Sequence, residues 1–131
     1  MNKHLHGKTA VVTGGTRGIG FAIAERLLHD GAQVAICGRN SPRVVQSVTD
    51  LAAKTGGKVF GRAADVSNLE QVQELFQFVD KKLGSLDILI NNAGIGVYAS
   101  VSQMNPADWR RTLDTNLTGV FYCCHEALPR F

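Results

Sequence analysis

At 131 residues the chain has room for one domain with a real core, and its 44% hydrophobic and 19% charged residues are ordinary for a globular protein. A net charge of +3 with dispersed cations argues against a nucleic-acid or membrane-surface partner. No apolar run approaches the roughly 20 residues that span a bilayer, and Met1–Lys8 lacks a signal-peptide core, so a cytoplasmic protein is expected. Cys37, Cys123 and Cys124 sit in apolar contexts and read as small hydrophobes. His4, His6, His29 and His125 pair with no cysteine or carboxylate, so no metal site is expected.

The predicted elements alternate. Thr9–Val12 is a short β-branched run of the kind that forms a buried parallel strand. It leads into Thr13-Gly14-Gly15-Thr16-Arg17-Gly18-Ile19-Gly20, after which Phe21–Leu28 repeats apolar residues at helical spacing and stops at Asp30-Gly31. Gln33–Cys37 is a second buried strand. Ser41 is expected to cap, and Pro42 to open, a helix running to about Thr55 and closed by Gly56-Gly57. Lys58–Ala63 is a third strand. Ser67 or Asn68 caps a third helix to about Leu83, with Leu69, Val72, Leu75, Phe76 and Val79 on its inner face. Gly84 ends it, Leu86–Ile90 is a fourth strand, and Asn91–Gln103 is a loop. Asn105-Pro106 opens a long last helix expected to turn Leu113, Leu117, Val120, Phe121, Cys124 and Leu128 inward.

Four strand–helix units joined by short loops imply an α/β fold, a doubly wound parallel sheet of strand order 3-2-1-4. Its ligand crevice should lie at the carboxyl ends of the first and fourth strands. The glycine-rich turn falls at that crevice. A strand that passes through glycines into a helix N-terminus offers free N–H groups and a positive dipole end to an anion. Here Gly14, Gly18 and Gly20 are spaced G-x-x-x-G-x-G rather than G-x-G-x-x-G, and no Gly-Lys-Ser/Thr follows to make a Walker-type loop. Alone, such a turn is weak evidence, since a tight strand-to-helix connection needs no ligand; the motifs downstream favour a dinucleotide site.

In order and spacing, four motifs resemble the short-chain dehydrogenases/reductases across nearly the whole chain. They are Thr13-Gly14-x-x-x-Gly18-Ile19-Gly20, Asp65-Val66, Asn91-Asn92-Ala93-Gly94, and Asn116 within Asp114-Thr115-Asn116-Leu117-Thr118-Gly119. The resemblance implies a Rossmann-type NAD(P)-binding domain over 1–131. It implies that Gly14 permits the turn, Gly18 admits the pyrophosphate and Gly20 lets helix and strand pack. Thr16, Arg17 and Ile19 would lie along the cofactor, with Ile19 covering the nicotinamide side of the pyrophosphate. Asp65 would receive the adenine amino group and Val66 would supply a backbone contact. Charge complement to the next helix is the alternative role for Asp65. Asn92, Ala93 and Gly94 would leave room for the nicotinamide ribose. By the same resemblance Asn116 would be the one catalytic-type residue, bending its helix and offering its main-chain carbonyl to a water that serves the catalytic lysine.

Cofactor choice is read at the end of the second strand. NAD-preferring enzymes place Asp or Glu there to grip the ribose hydroxyls. Here that position is Gly38, followed by Arg39-Asn40, and Arg17 lies in the glycine turn. Two guanidinium groups and no carboxylate suit a 2′-phosphate, so NADP(H) is the expected cofactor and NAD the weaker one. The same Gly38-Arg39 argues against a methyltransferase, which would need an acidic residue for the ribose hydroxyls.

The family's serine and its Tyr-x-x-x-Lys acid–base pair have no match. Tyr98 and Tyr122 are followed four residues on by Ser102 and Glu126. The sequence stops at Phe131, where a fifth strand would begin. The expectation is therefore the cofactor-binding half of an NADP(H)-dependent oxidoreductase about twice as long, inactive alone and with an unpaired fourth-strand edge. The resemblance implies hydride transfer between nicotinamide and a ketone or secondary alcohol, and a dimer or tetramer formed through the last helix. A non-catalytic NADP(H)-binding sensor or scaffold is the alternative. Val97, Tyr98, Ala99 and Val101 make a moderately apolar rim, consistent with a nonpolar or amphipathic carbonyl substrate of open identity.

Overall fold

The computed structural model describes residues 3–131. Its four strands are β1 (Thr9–Thr13), β2 (Gln33–Gly38), β3 (Val59–Ala63) and β4 (Ile88–Ile90). Between them run α1 (Gly18–His29), α2 (Ser41–Thr55) and α3 (Leu69–Leu83). After β4 come α4 (Pro106–Leu113), a single π turn (Asp114–Thr118), α5 (Gly119–Ala127) and a 3₁₀ turn (Leu128–Arg130). All pairings are parallel, in the order β3-β2-β1-β4. The α/β fold class and strand order are those expected.

Strand alternation builds two cores. Ala10, Val12, Val34 and Ile36 point to one face, where Ala24 and Leu28 of α1 and Leu51 of α2 cover them. Val11, Ala35 and Cys37 point to the other, against Val72, Leu75, Phe76 and Val79 of α3 and Cys123 and Ala127 of α5. Because β1 and β2 are covered on both faces, their sequences carry no polar alternation. Each of the four fully buried α3 side chains stabilises the fold by about 2 kcal/mol.

Helix ends follow capping chemistry, with one shift. Asn68 caps α3 by accepting from the Gln71 amide, and Asn105 caps α4 by accepting from that of Ala107. The α2 cap, however, is Asn40 rather than Ser41: its Oδ1 accepts from the Arg43 amide at 3.0 Å. Asn and Ser cap equally well, and the extended backbone at Asn40 decides between them. Gly56 and Gly84 close α2 and α3 in left-handed conformation.

Two inner-face expectations are corrected. Leu69 starts α3 at the rim and is exposed, whereas its four companions are buried. The last helix is broken by the π turn, and its buried positions are Thr115, Gly119, Cys123 and Ala127. Leu117 and Phe121 are 65% and 62% exposed, Leu128 is exposed too, and Leu113, Val120 and Cys124 are half-buried. Small residues every fourth position let this helix approach its neighbours closely. A Cβ on Gly119 would stand 2.7 Å from Val66 Cγ2 and 3.1 Å from the Val66 carbonyl oxygen. The large side chains turn outward because the small ones occupy the inside.

Candidate functional site

The carboxyl ends of the strands converge on one edge. The register sets Thr13 beside Cys37, Gly38 beside Ala63 and Val12 beside Ile90. The residues that follow each strand therefore meet in one cleft of about 460 Å³. Gly14, Thr16, Arg17, Gly18 and Ile19 line it from the turn, and Arg39 and Asn40 from the end of β2. Asp65 and Val66 enter after β3, and Asn92, Ala93 and Gly94 after β4. Two of the expected residues do not line it. Gly20 is buried beneath, and Asn116 stands behind the lining, bonded to Ile95 and lying against Gly94.

The glycine turn is shaped by steric necessity. Gly14 and Gly18 have φ of +64° and +57°, in the left-handed region that side chains resist. A Cβ on Gly14 would come within 2.9 Å of the Ala93 Cα, whereas one on Gly18 would meet nothing within 4 Å. The first turn of α1 is thus open to the cleft. That helix has neither a side-chain N-cap nor an acidic residue in its first turn, so its dipole end is unanswered by the protein. A Cβ on Gly20 would run into the Gly14 carbonyl oxygen and the Asn92 side-chain amide. Ile19, 74% exposed, stands at the mouth.

Hydrogen bonds hold the opposite wall. The buried Thr13 hydroxyl accepts from the amides of Asn92 and Ala93 at 3.1 and 3.0 Å. Asn92 Nδ2 donates to the Gly14 carbonyl at 3.0 Å, tying the wall to the turn. Asn116 grips Ile95 twice: its Oδ1 accepts from the Ile95 amide at 2.8 Å and its Nδ2 donates to the Ile95 carbonyl at 2.7 Å. Asn116 lies within the π turn, where the widened backbone departs from regular helical bonding.

Charge is distributed unevenly around the cleft. Arg17, Arg39 and Arg43 line it and are exposed, and none has an ion-pair partner among the described residues. Asp65 is the one carboxylate in the lining, and its Oδ1 accepts from the amide and hydroxyl of Ser67 at 3.0 and 2.7 Å. Cys37 also lines the cleft. Burial pushes its thiol up to about 11, partly offset by the Gly14 amide, so it adds no negative charge at neutral pH. The side-chain oxygen of Asn40 is committed to capping α2, leaving its amide nitrogen for a ligand.

The family model for short chain dehydrogenases matches residues 8–131. The chain belongs to the short-chain dehydrogenase family. It is similar to glucose 1-dehydrogenase 2 of Bacillus subtilis, 39% identical over 129 residues that cover 98% of this chain and 50% of that protein. Among solved structures, L-sorbose reductase from Gluconobacter frateurii complexed with NADPH and L-sorbose superposes with a TM-score of 0.92 at 30% identity, covering 98% of this chain and 49% of that one. An alcohol dehydrogenase from Thermococcus sibiricus complexed with 5-hydroxy-NADP superposes with a TM-score of 0.90 at 32% identity, covering 94% and 52%. The chain spans about half the length of the relatives it matches.

Several cleft residues of this short-chain dehydrogenase carried no motif signal. Arg43, Ile95 and Thr115 line the site, and Ser47 supports it by donating from Oγ to the Thr16 carbonyl at 2.8 Å. Arg43 was within reach of the sequence, since it stands four residues past Arg39 at the start of a helix. Ser47 was not, because its contact joins elements 31 residues apart.

Proposed function

We propose that the cleft binds NADP(H) and that the protein is an oxidoreductase moving hydride between the nicotinamide and a ketone or secondary alcohol. The observation that carries this reading is the end of β2. Gly38 presents no carboxylate there, while Arg17 and Arg39 face the same cleft from the turn and from the residue after Gly38. An acidic residue would hold ribose hydroxyls, and two guanidinium groups hold a phosphate instead. The cofactor complexes of L-sorbose reductase and the Thermococcus alcohol dehydrogenase support the choice.

The residues present fit such a cofactor. The uncapped first turn of α1 and the open space over Gly18 suit a pyrophosphate. Asp65 keeps Oδ2 without a protein partner among the described residues and receives the adenine amino group, beside Val66. Thr16, Asn40 and Ile19 complete the walls, and Asn92, Ala93 and Gly94 face the nicotinamide ribose. When bound, the nicotinamide supplies or accepts the hydride. The chain's own part is to orient that ring: Thr13 fixes Asn92 and Ala93, and Asn116 fixes Ile95.

We place the acid–base chemistry in a part of the protein beyond this chain. The relatives are about twice its length, and neither Tyr98 nor Tyr122 has a lysine four residues on. The exposed Leu117, Phe121 and Leu128 are assigned to contact with a second copy of the protein. The cofactor reading is tested on immobilised 2′,5′-ADP. The chain should be retained and released by NADP⁺ but not by equal NAD⁺; passage without retention would overturn the assignment. NADPH oxidation against a panel of ketones, in the protein of full family length, tests the reaction.

A further inference from the structure

Hydroxyl side chains within α2 behave in two ways. Thr49 Oγ1 donates to the Val45 carbonyl at 3.2 Å and Thr55 Oγ1 to that of Leu51 at 2.7 Å, each closing on the preceding turn of its own helix, as such residues commonly do. Ser47 does not. It is buried, and its Oγ leaves the helix to donate to the Thr16 carbonyl at 2.8 Å. Breaking that bond would strand a shielded acceptor, so the bond fixes where the carbonyl points.

That carbonyl belongs to a segment with little else to hold it. Gly14 and Gly18, both left-handed, flank the stretch 15–17. Gly15 is tied through its amide to the Cys37 carbonyl at 3.1 Å, and α1 begins without a side-chain cap. The Arg17 amide has no protein acceptor among the described residues. The Thr16–Arg17 peptide is trans, so its C=O and N–H point in opposite directions. Thr16 and Arg17 line the cleft, and Ser47 does not. Holding the oxygen to Ser47 therefore turns the Arg17 N–H to the cleft side, beside the open first turn of α1. Turned over, the same peptide would present an oxygen to an anion in place of a donor.

We propose that Ser47 is a positioning residue that holds the Thr16–Arg17 peptide with its N–H towards the cleft, so that a pyrophosphate meets a preformed set of amide donors. The inference rests on the reading of the cleft as a dinucleotide site. NADP(H) and NAD(H) share the pyrophosphate, so Ser47 acts on the affinity for both and not on the preference between them.

The test combines amide hydrogen exchange in the free protein with calorimetric titration by NADP⁺ and NAD⁺, for wild type, Ser47→Ala, Ser47→Thr and Thr55→Val. In Ser47→Ala, exchange at Gly15 should rise about tenfold relative to the amides of β1, as the turn loosens. Both dinucleotides should weaken by one common factor, about fivefold to tenfold, the reciprocal of the fraction of time the loosened turn keeps its donor outward. Ser47→Thr keeps the hydroxyl and should stay within twofold of wild type in both readouts. Thr55→Val removes a hydroxyl bond from the far end of the same helix and should move neither, which separates positioning from a loss of helix stability. Unchanged exchange or unchanged affinity in Ser47→Ala overturns the proposal, as does an equal loss in Thr55→Val or a loss confined to NADP⁺. A wild-type protein that binds neither dinucleotide would instead overturn the cofactor reading, and exchange at Gly15 would still decide whether Ser47 holds the turn. If Ser47→Ala does not fold, Ser47→Cys, which fills the same space with a weaker donor, takes its place.

Discussion

Gly38→Asp separates the steric from the electrostatic logic of the cleft. The new Cβ would stand 2.7 Å from Thr16 Cγ2, 3.3 Å from Thr16 Oγ1 and 3.6 Å from Val44 Cγ2. Thr16 yields reluctantly, because it is β-branched and its carbonyl is held by the buried Ser47 hydroxyl at 2.8 Å. Overpacking of this kind costs about 1–3 kcal/mol of stability. The carboxylate adds a second effect by neutralising Arg39 and repelling a 2′-phosphate. After solvent screening that repulsion is about 2 kcal/mol, or roughly a 30-fold loss of NADP⁺ affinity. Adding Thr16→Ala removes the clashing methyl, so the double variant should recover stability and gain NAD⁺ affinity without regaining NADP⁺. Urea denaturation and calorimetric titration of the two single variants and the double variant read both effects. An NADP⁺ affinity within threefold of wild type for Gly38→Asp would refute the charge argument. A coupling below about 0.5 kcal/mol in the stability cycle would refute the steric one.

Three further outcomes follow from other contacts. Gly20→Ala drives a methyl into the Gly14 carbonyl and the Asn92 amide, and should cost about 2–4 kcal/mol in urea denaturation through overpacking and a broken hydrogen bond; a loss under 1 kcal/mol would contradict the packing. Arg130 pairs with Asp80 at 2.8 and 3.0 Å and holds that carboxyl below its usual range, so the pair's contribution is fully present above the unfolded-state value near 4 and is lost as pH falls through the lower folded value. Half-exposed, the pair is worth at most about 1 kcal/mol, and the stability gap between wild type and Asp80→Asn should be measurable at pH 6 and close towards pH 2. Cys37 and Cys123 are buried, their thiols pushed up to about 11 and about 12, so an aromatic disulfide reagent should label Cys124 alone in the native protein and all three cysteines in urea. Rapid labelling of two thiols in native buffer would count against that burial.

The fold was legible because its signals are local. Contiguous apolar runs at Thr9–Val12 and Gln33–Cys37, helix caps at Asn68 and Asn105 and glycines at the helix ends all act within a few residues. The cleft was legible in its main lines because parallel register carries each post-strand motif to one edge. What escaped was non-local. Gly119, Cys123 and Ala127 face inward because small side chains admit close helix approach, and a rule that puts large apolar residues inside selects Leu117 and Phe121 instead. The Thr16–Gly38 contact and the grip of Asn116 on Ile95 join distant segments, and nothing in the composition of either segment announces them. Arg43 fell between these cases, near a motif but outside it.

The most direct test is the pair of dissociation constants of the wild-type chain for NADP⁺ and NAD⁺, measured at one ionic strength because phosphate contacts are screened by salt. The account predicts tighter binding of NADP⁺ by at least about tenfold, from two or more charge-assisted contacts that NAD⁺ cannot make. Equal constants, or binding of neither dinucleotide by the folded protein, would contradict it.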